Sequence, residues 1–223
     1  MKLAYNFKNK IMKNSRLNQL ITMIALSISL SFMYACDSKN DDEINTEIAD
    51  ISLKQTDKDA LLFMMEEEKL ARDTYRYLDN LWSITQFANI KGSEQTHMNA
   101  IETLLKQYNV TYEILPEGKF ANEELQNFYN NFISSGAISI ANALQIGATI
   151  EDLDIVDLQR NIEATNNKAI ISVFEKLQCG SRNHLRSFLN GIESNGDTYT
   201  PQFLSLETYN SIINSPNEKC GKN

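Results

Sequence analysis

From Thr56 onward the apolar positions of the chain recur with helical periodicity. Leu61, Met64, Met65, Glu68, Ala71, Arg72 and Tyr75 follow one another at i, i+3, i+4 spacing toward Leu78, behind a capping signal in "TDKD" that starts at Thr56. A second stripe of Phe87, Ile90, Glu94, His97, Ile101, Leu104 and Leu105 predicts a helix over 83–108. The segment "VTYEILPEGKF" breaks the pattern at Pro116 and Gly118 and reads as a long crossover. A short helix, "ANEELQNFYNNFISSG", is predicted from a cap at Asn122 to Gly136. Ser139 then opens a third long helix with Leu144, Gly147, Ala148, Glu151, Ile155, Leu158 and Ile162 on one face. "NKAIISVFEKLQCGSRNHLRSFLNGIES" predicts the fourth, and "YTPQFLSLETYNSII" a short closing helix. No segment alternates as a half-buried strand does. The pattern predicts an all-α four-helix bundle of two helix pairs, joined by a long crossover that contains a short extra helix, with a short C-terminal helix added.

The beginning of the chain follows another pattern. Residues 1–35 hold five basic residues and no acid, then the apolar run "LITMIALSISLSFMYA", which ends at Cys36 and is too short for a comfortable membrane span. This reads as a secretory signal, the alternative being an uncleaved N-terminal anchor. "FMYAC" resembles a bacterial lipobox, which would make Cys36 the lipidated first residue of the mature protein. Residues 36–55 are polar and acidic and read as a flexible tether. The expected location is the cell envelope of a bacterium, as an outer-membrane lipoprotein facing the periplasm or the cell surface, with the membrane as a partner through the lipid anchor.

Removing the signal changes the charge balance. The chain carries 21 basic and 29 acidic residues, and from Cys36 onward 16 basic against 29 acidic, a net charge of −13. Such a surface repels nucleic acid. The sequence also has no nucleotide-binding glycine loop and no Ser-His-Asp order. Cys179 and Cys220 are an even pair in an exported chain and are expected to be bridged, the alternative being a buried thiol at 179 and an idle one in the tail. Their spacing excludes a Cys-x-x-Cys zinc site.

The two histidines of the chain share a local frame. Phe87 lies seven residues before Glu94 and ten before His97, and Phe174 lies seven before Ser181 and ten before His184. Each of these helices follows one that carries acids on its apolar stripe, Glu68 in the first half and Glu151 with Asp154 in the second. Burying an unpaired carboxylate costs several kcal/mol or forces it to protonate, so these acids require a compensating charge. A pair of divalent cations meets that requirement, because di-metal four-helix bundles use one Glu on each of two helices and a Glu-x-x-His pair on each of the other two.

"EKLARDTY", from Glu68 to Tyr75, resembles the first metal helix of rubrerythrins and other ferritin-like proteins, and "FANIKGSEQTHMNAIETLL" is similar to their second. With "IEDLDIVDLQ" and "GSRNHLRSF" the set resembles the ferritin-like family of domain of unknown function 2202, over most of the chain from Asp57 to Glu193. The resemblance implies a metal site of Glu68, Glu94, His97, Glu151 and His184, with Asp154 where rubrerythrins carry an additional carboxylate. It implies two iron ions, or iron and manganese, as cofactors. Ser181 stands where the pattern asks for the fourth-helix Glu, so Asp154 fills that role from the neighbouring helix or the second metal is weak or absent. In the run Glu66–Glu67–Glu68 only Glu68 is expected to turn inward, the others being solvated. Met64 and Met65 are expected to fill the core and Tyr75 to pack rather than to act as a redox tyrosine. Arg182 and Arg186 are read either as partners of the site acids or as surface ion-pair residues.

Two function classes follow. One is a di-iron or iron–manganese oxidase or peroxidase acting on O2 or peroxide. It would need an external, unidentified electron donor, since the chain has no rubredoxin-like set of four cysteines. The other is a non-catalytic structural or binding lipoprotein with a degenerate or mononuclear site. A homodimer is compatible with either.

Overall fold

The computed structural model describes residues 53–221, and among these all regular structure is helical: α1 (Gln55–Trp82), α2 (Thr85–Gln107), α3 (Glu123–Gly136), α4 (Ile140–Ala164), α5 (Lys168–Ser194) and α6 (Leu206–Ile213). The signal segment, Cys36 and all but the last residues of the predicted tether lie outside the described residues. No described helix is long and apolar enough to cross a membrane. Leu53 already packs in the core beside Leu61 and Leu105, so residues 53–55, read above as tether, belong to the folded domain.

The caps set the helix starts. Asn122 accepts hydrogen bonds from the backbone N–H groups of Glu124 and Leu125, Ser139 from Asn142, Asn167 from Ala169 and Ile170, and Ser205 from Thr208. Each satisfies donors that a helix N-terminus leaves orphaned. Two predicted starts move. Thr56 lies inside α1, whose N-cap is Lys54 with no side-chain bond. Ser83 does not open α2 but closes α1 in the left-handed conformation, φ 51°, which allows a short turn into Thr85.

The long helices pack as two intimate pairs, α1 with α2 and α4 with α5, and the pairs meet through α1 against α4 and α2 against α5. The short α3 lies against α1 and α4. Apolar stripes fill one end of the interior with Leu61, Met64, Met65, Met98, Ile101, Leu105, Leu158, Ile170, Phe174 and Leu177. Toward the other end Tyr75, Phe87 and Phe188 form a three-ring cluster with centroids 5.3–5.6 Å apart. Gly147 makes this cluster possible, since a Cβ there would stand 2.4 Å from the Phe188 ring. The polar stripe residues lie between these two apolar zones.

Ion pairs tie the irregular segments to the bundle. Lys69, fully buried, donates to Asp73 Oδ2 at 2.6 Å and to the carbonyls of Pro116 and Lys119, with the Phe120 ring beneath its ammonium. Asp73 also accepts from Arg72 and from the backbone N–H of Gly118. This satisfied network anchors the crossover, and removing one member would leave a buried charge uncompensated. Glu66 accepts from the N–H groups of Ala121 and Asn122 and holds the start of α3.

The C-terminal tail is held in the same way. Asp152 accepts from the Tyr199 hydroxyl and from the backbone N–H groups of Gln202, Phe203 and Leu204. Arg182 and Arg186 both bind Glu218, so of the two readings given above they serve the tail and not the interior acids. Cys179 and Cys220 are bridged across a separation of 41 residues. Replacing both cysteines by serine is expected to cost about 4 kcal/mol by the loop-closure argument for a separation of 41 residues. That corresponds to a Tm lower by roughly 8–16 °C in calorimetry for a domain of this size. An unchanged Tm would mean that the polar clamps alone hold the tail.

Candidate metal centre

Each of the four long helices brings one turn of its buried stripe to a common level: Glu68 from α1, Glu94 and His97 from α2, Glu151 and Asp154 from α4, and His184 from α5. The i, i+3 spacing of Glu94 and His97 aims both at the interior, as does that of Glu151 and Asp154. His97 Nδ1 lies 3.1 Å from Glu68 Oε2 and 2.8 Å from Glu94 Oε2. His184 Nδ1 lies 2.8 Å from Glu94 Oε1 and 3.5 Å from Glu151 Oε2. The two imidazoles stack with centroids 5.5 Å apart. Ligand-capable atoms therefore fall into two triads, Glu68–Glu94–His97 and Glu94–Glu151–His184, each with its atoms within 4.8 Å of one another. Glu94 is common to both and offers a different oxygen to each imidazole.

Close approach here is not the same as hydrogen bonding. Glu94 Oε1 and His184 Nδ1 are 2.8 Å apart as an ion pair, and neither atom has a further hydrogen-bond partner. Glu68 Oε1 and Asp154 Oδ1 are buried without a partner as well. Native interiors leave few polar atoms in this condition, and such a cluster offers an ion or a water its partners. The donor set, carboxylate oxygens with two imidazoles, suits iron or manganese. The orphaned atoms and the shared Glu94 fit a pair of divalent cations.

Ser181 occupies the place of the expected fourth-helix Glu. Its hydroxyl donates to Asp154 Oδ2 and leaves Oδ1 free, and Asp154 belongs to neither triad. Both triads are complete in three ligands without a Glu at 181. Gly180 provides the space beside His97, since a Cβ there would stand 2.7 Å from the imidazole Nε2.

Three features were not legible from the stripes. Tyr75, read as a packing residue, also donates from its hydroxyl to Glu151 Oε1 at 2.5 Å, so it touches the centre as well as the aromatic cluster. Its position seven residues after Glu68, two helical turns along the same face, carried that information. Glu67, read as solvated, is 2 % exposed. Because α1 is covered by α2, α3 and α4, more than one of its faces is buried, whereas a single-stripe reading assigns only one. Asp73, with Lys69, is likewise internal.

Residues 57–216 match the model of an uncharacterised protein domain, DUF2202. The chain belongs to the DUF2202 family. An uncharacterised protein of the archaeon Methanocaldococcus jannaschii, MJ0754, is 44 % identical over 169 residues, which cover 75 % of this chain and 91 % of that protein. The crystal structure of the hypothetical protein MJ0754 superposes with a TM-score of 0.73, covering 74 % of this chain and 96 % of that one. The all-helical architecture is therefore also similar to that of a solved structure.

Protons on the side chains themselves can take part of the compensating role. Burial raises the Glu68 carboxyl to about 7 despite the nearby His97, and burial with Glu94 close by raises Glu151. Burial would lower His184, but Glu94 and Glu151 outweigh it and hold the imidazole at about 10; Glu68 and Glu94 likewise raise His97. For Glu94 burial acts upward, and His184 and His97 overcome it and keep the carboxyl below its ordinary value. Glu68 and His184 both bind protons more tightly folded than unfolded. Glu68 contributes stability in full below its ordinary value of 4.5, and that contribution is lost as pH rises through about 7; for His184 the window runs from 6.5 to about 10. Protein stripped of metal is therefore expected to lose on the order of 10–20 °C in Tm between pH 5 and pH 9. Excess Fe2+ or Mn2+ should shrink or reverse the trend, because ligands must deprotonate to bind. Thermal denaturation across that range checks this, and a metal-free Tm that stays flat or rises would contradict it.

Proposed function

We propose that the chain is a ferritin-like dinuclear metalloprotein of the bacterial envelope, anchored through a lipid on Cys36, that acts as an oxidase or peroxidase, reducing O2 or peroxide with electrons from a separate donor. The observation that supports it most is the sharing of Glu94 between two buried triads whose remaining polar atoms lack partners. One cation would be held by Glu68, His97 and Glu94, the other by Glu94, Glu151 and His184, with Asp154 beside both. Bound iron, or iron with manganese, would supply redox chemistry toward O2 or peroxide.

The chain's own residues supply the rest. Tyr75 keeps its proton, since burial and the adjacent Glu151 push the phenol upward, and it orients the Glu151 carboxylate through their hydrogen bond. The Tyr75–Phe87–Phe188 cluster on one side and the aliphatic core on the other keep water from the centre, which strengthens every charge interaction within it. Electrons would come from a separate donor. Asp154, hydrogen-bonded to Ser181, supports a second reading in which the Glu151–His184 half binds weakly and the protein serves as a mononuclear or structural lipoprotein.

Anaerobic loading of the full-length protein with Fe2+, followed by desalting and elemental analysis, separates the readings. The dinuclear reading expects about two tightly held irons per chain and fewer than one in Glu94→Gln. Exposure to air should then oxidise the iron, followed by absorbance, at least tenfold faster than in His184→Ala. One iron per chain that persists in His184→Ala would favour the mononuclear reading, and no retained iron would overturn both metal readings.

A further inference from the structure

Gly180 stands in the interior of α5, where helix propensity favours alanine over glycine. Its surroundings explain the choice. A Cβ at this position would lie 2.7 Å from His97 Nε2 and 2.8 Å from His97 Cε1, but 3.9 Å from His184 Cε1, which is an ordinary contact. Gly92, inside α2, would place a Cβ with nothing within 4 Å. Of these two helical glycines only Gly180 is required by what it touches, and what it touches is one edge of one imidazole.

The other edge of that ring is equally confined. His97 Nδ1 lies 2.8 Å from Glu94 Oε2 and 3.1 Å from Glu68 Oε2, so the imidazole is wedged between the α5 backbone and two carboxylates. Histidines that ligate metals are ordinarily oriented by a hydrogen bond from the second ring nitrogen. Among the described residues none accepts such a bond from Nε2 of either histidine. Packing orients His97 instead, through the α5 backbone at its edge and the stack on His184 at its face.

A methyl group at position 180 would need the contact to open from 2.7 Å to at least 3.4 Å. The ring cannot retreat straight back, because the carboxylates already stand at hydrogen-bond distance. It must turn out of line. That movement costs little, since the ring is the far end of a side chain with two rotatable bonds. The fold then survives while Nδ1 loses its aim.

We propose that Gly180 is a positioning residue that acts through His97. By letting the α5 backbone support the ring, it keeps Nδ1 on Glu68 and Glu94, and so sets the divalent-cation affinity of that triad without setting that of Glu94–Glu151–His184. The consequence for cation affinity rests on the dinuclear reading, whereas the steric coupling to His97 does not.

The chain has only two histidines, so imidazole 1H–15N NMR spectra of the full-length protein stripped of metal contain two ring systems, assigned through His97→Ala. Gly180→Ala should shift the His97 ring resonances and leave those of His184 in place, and Gly92→Ala should move neither. Thermal denaturation gives a second readout. Gly180→Ala should raise Tm by about 2–4 °C in a His97→Ala background, where helix propensity acts alone, and bring no gain when His97 is present; Gly92→Ala should raise it in both. In a Mn2+ titration with free Mn2+ read by its EPR signal, Gly180→Ala should weaken one of the two ions about tenfold or more. Unmoved His97 resonances, an equal gain in Tm with and without His97, or two ions held as tightly as in wild type would overturn the proposal. If Gly180→Ala alone does not fold, a folded Gly180→Ala/His97→Ala protein upholds the coupling and an unfolded one contradicts it. No Mn2+ bound by wild type would sink the dinuclear reading, and the NMR and Tm results would still decide whether Gly180 positions His97.

Discussion

The constraint on which this molecule depends is charge burial. A four-helix interior that takes in Glu68, Glu94, Glu151 and Asp154, and leaves several of their oxygens without donors, stores several kcal/mol per uncompensated charge. Such an arrangement persists only if the rest of the fold over-determines it and something positive fills it. The aliphatic cluster at one end and the three-ring aromatic cluster at the other supply the apolar burial that keeps the helices together across this polar middle layer. Protons on the imidazoles and on Glu68 offset the charge in part. A pair of cations would do so more fully and would also give each orphaned atom a partner.

The molecule treats its buried acids in two contrasting ways. Asp73 and Asp152 are fully satisfied, one by Lys69, Arg72 and a backbone N–H, the other by a phenol and three consecutive backbone amides, and each fastens an irregular segment to the bundle. The acids of the central layer have imidazoles, one another and few donors. Satisfied polar networks specify structure. Unsatisfied ones mark places where function has been allowed to cost stability. The same distinction separates Glu66, which holds α3 through two backbone bonds, from Glu67, which fastens no backbone segment.

The bundle and most of the central cluster were legible in the sequence because their signals are periodic. Glu94 and His97 stand out as polar residues on an otherwise apolar stripe, and the matching frame around Phe174 and His184 points to a symmetric partner. What the stripes could not carry was the number of buried faces. α1 contacts three helices, so Glu67, Lys69 and Asp73 are internal although they lie off its main stripe. Partners distant in sequence were also out of reach: the bond from Tyr75 to Glu151 spans 76 residues, and the assignment of Arg182 and Arg186 to Glu218 depended on where the tail returns. Ser181 looked like a vacancy, and its bond to Asp154 explains why a small hydroxyl fits there.

The central claim is that Glu94 bridges two metal ions. Crystals of the protein grown with Fe2+ or Mn2+, with anomalous diffraction collected at the corresponding absorption edge, test it directly. The account predicts two anomalous peaks about 3.5–4 Å apart, a separation typical of two-metal sites, one at each carboxylate oxygen of Glu94, the first beside His97 and the second beside His184. An absence of peaks at Glu94, or a single peak bound by only one of the two histidines, would contradict it.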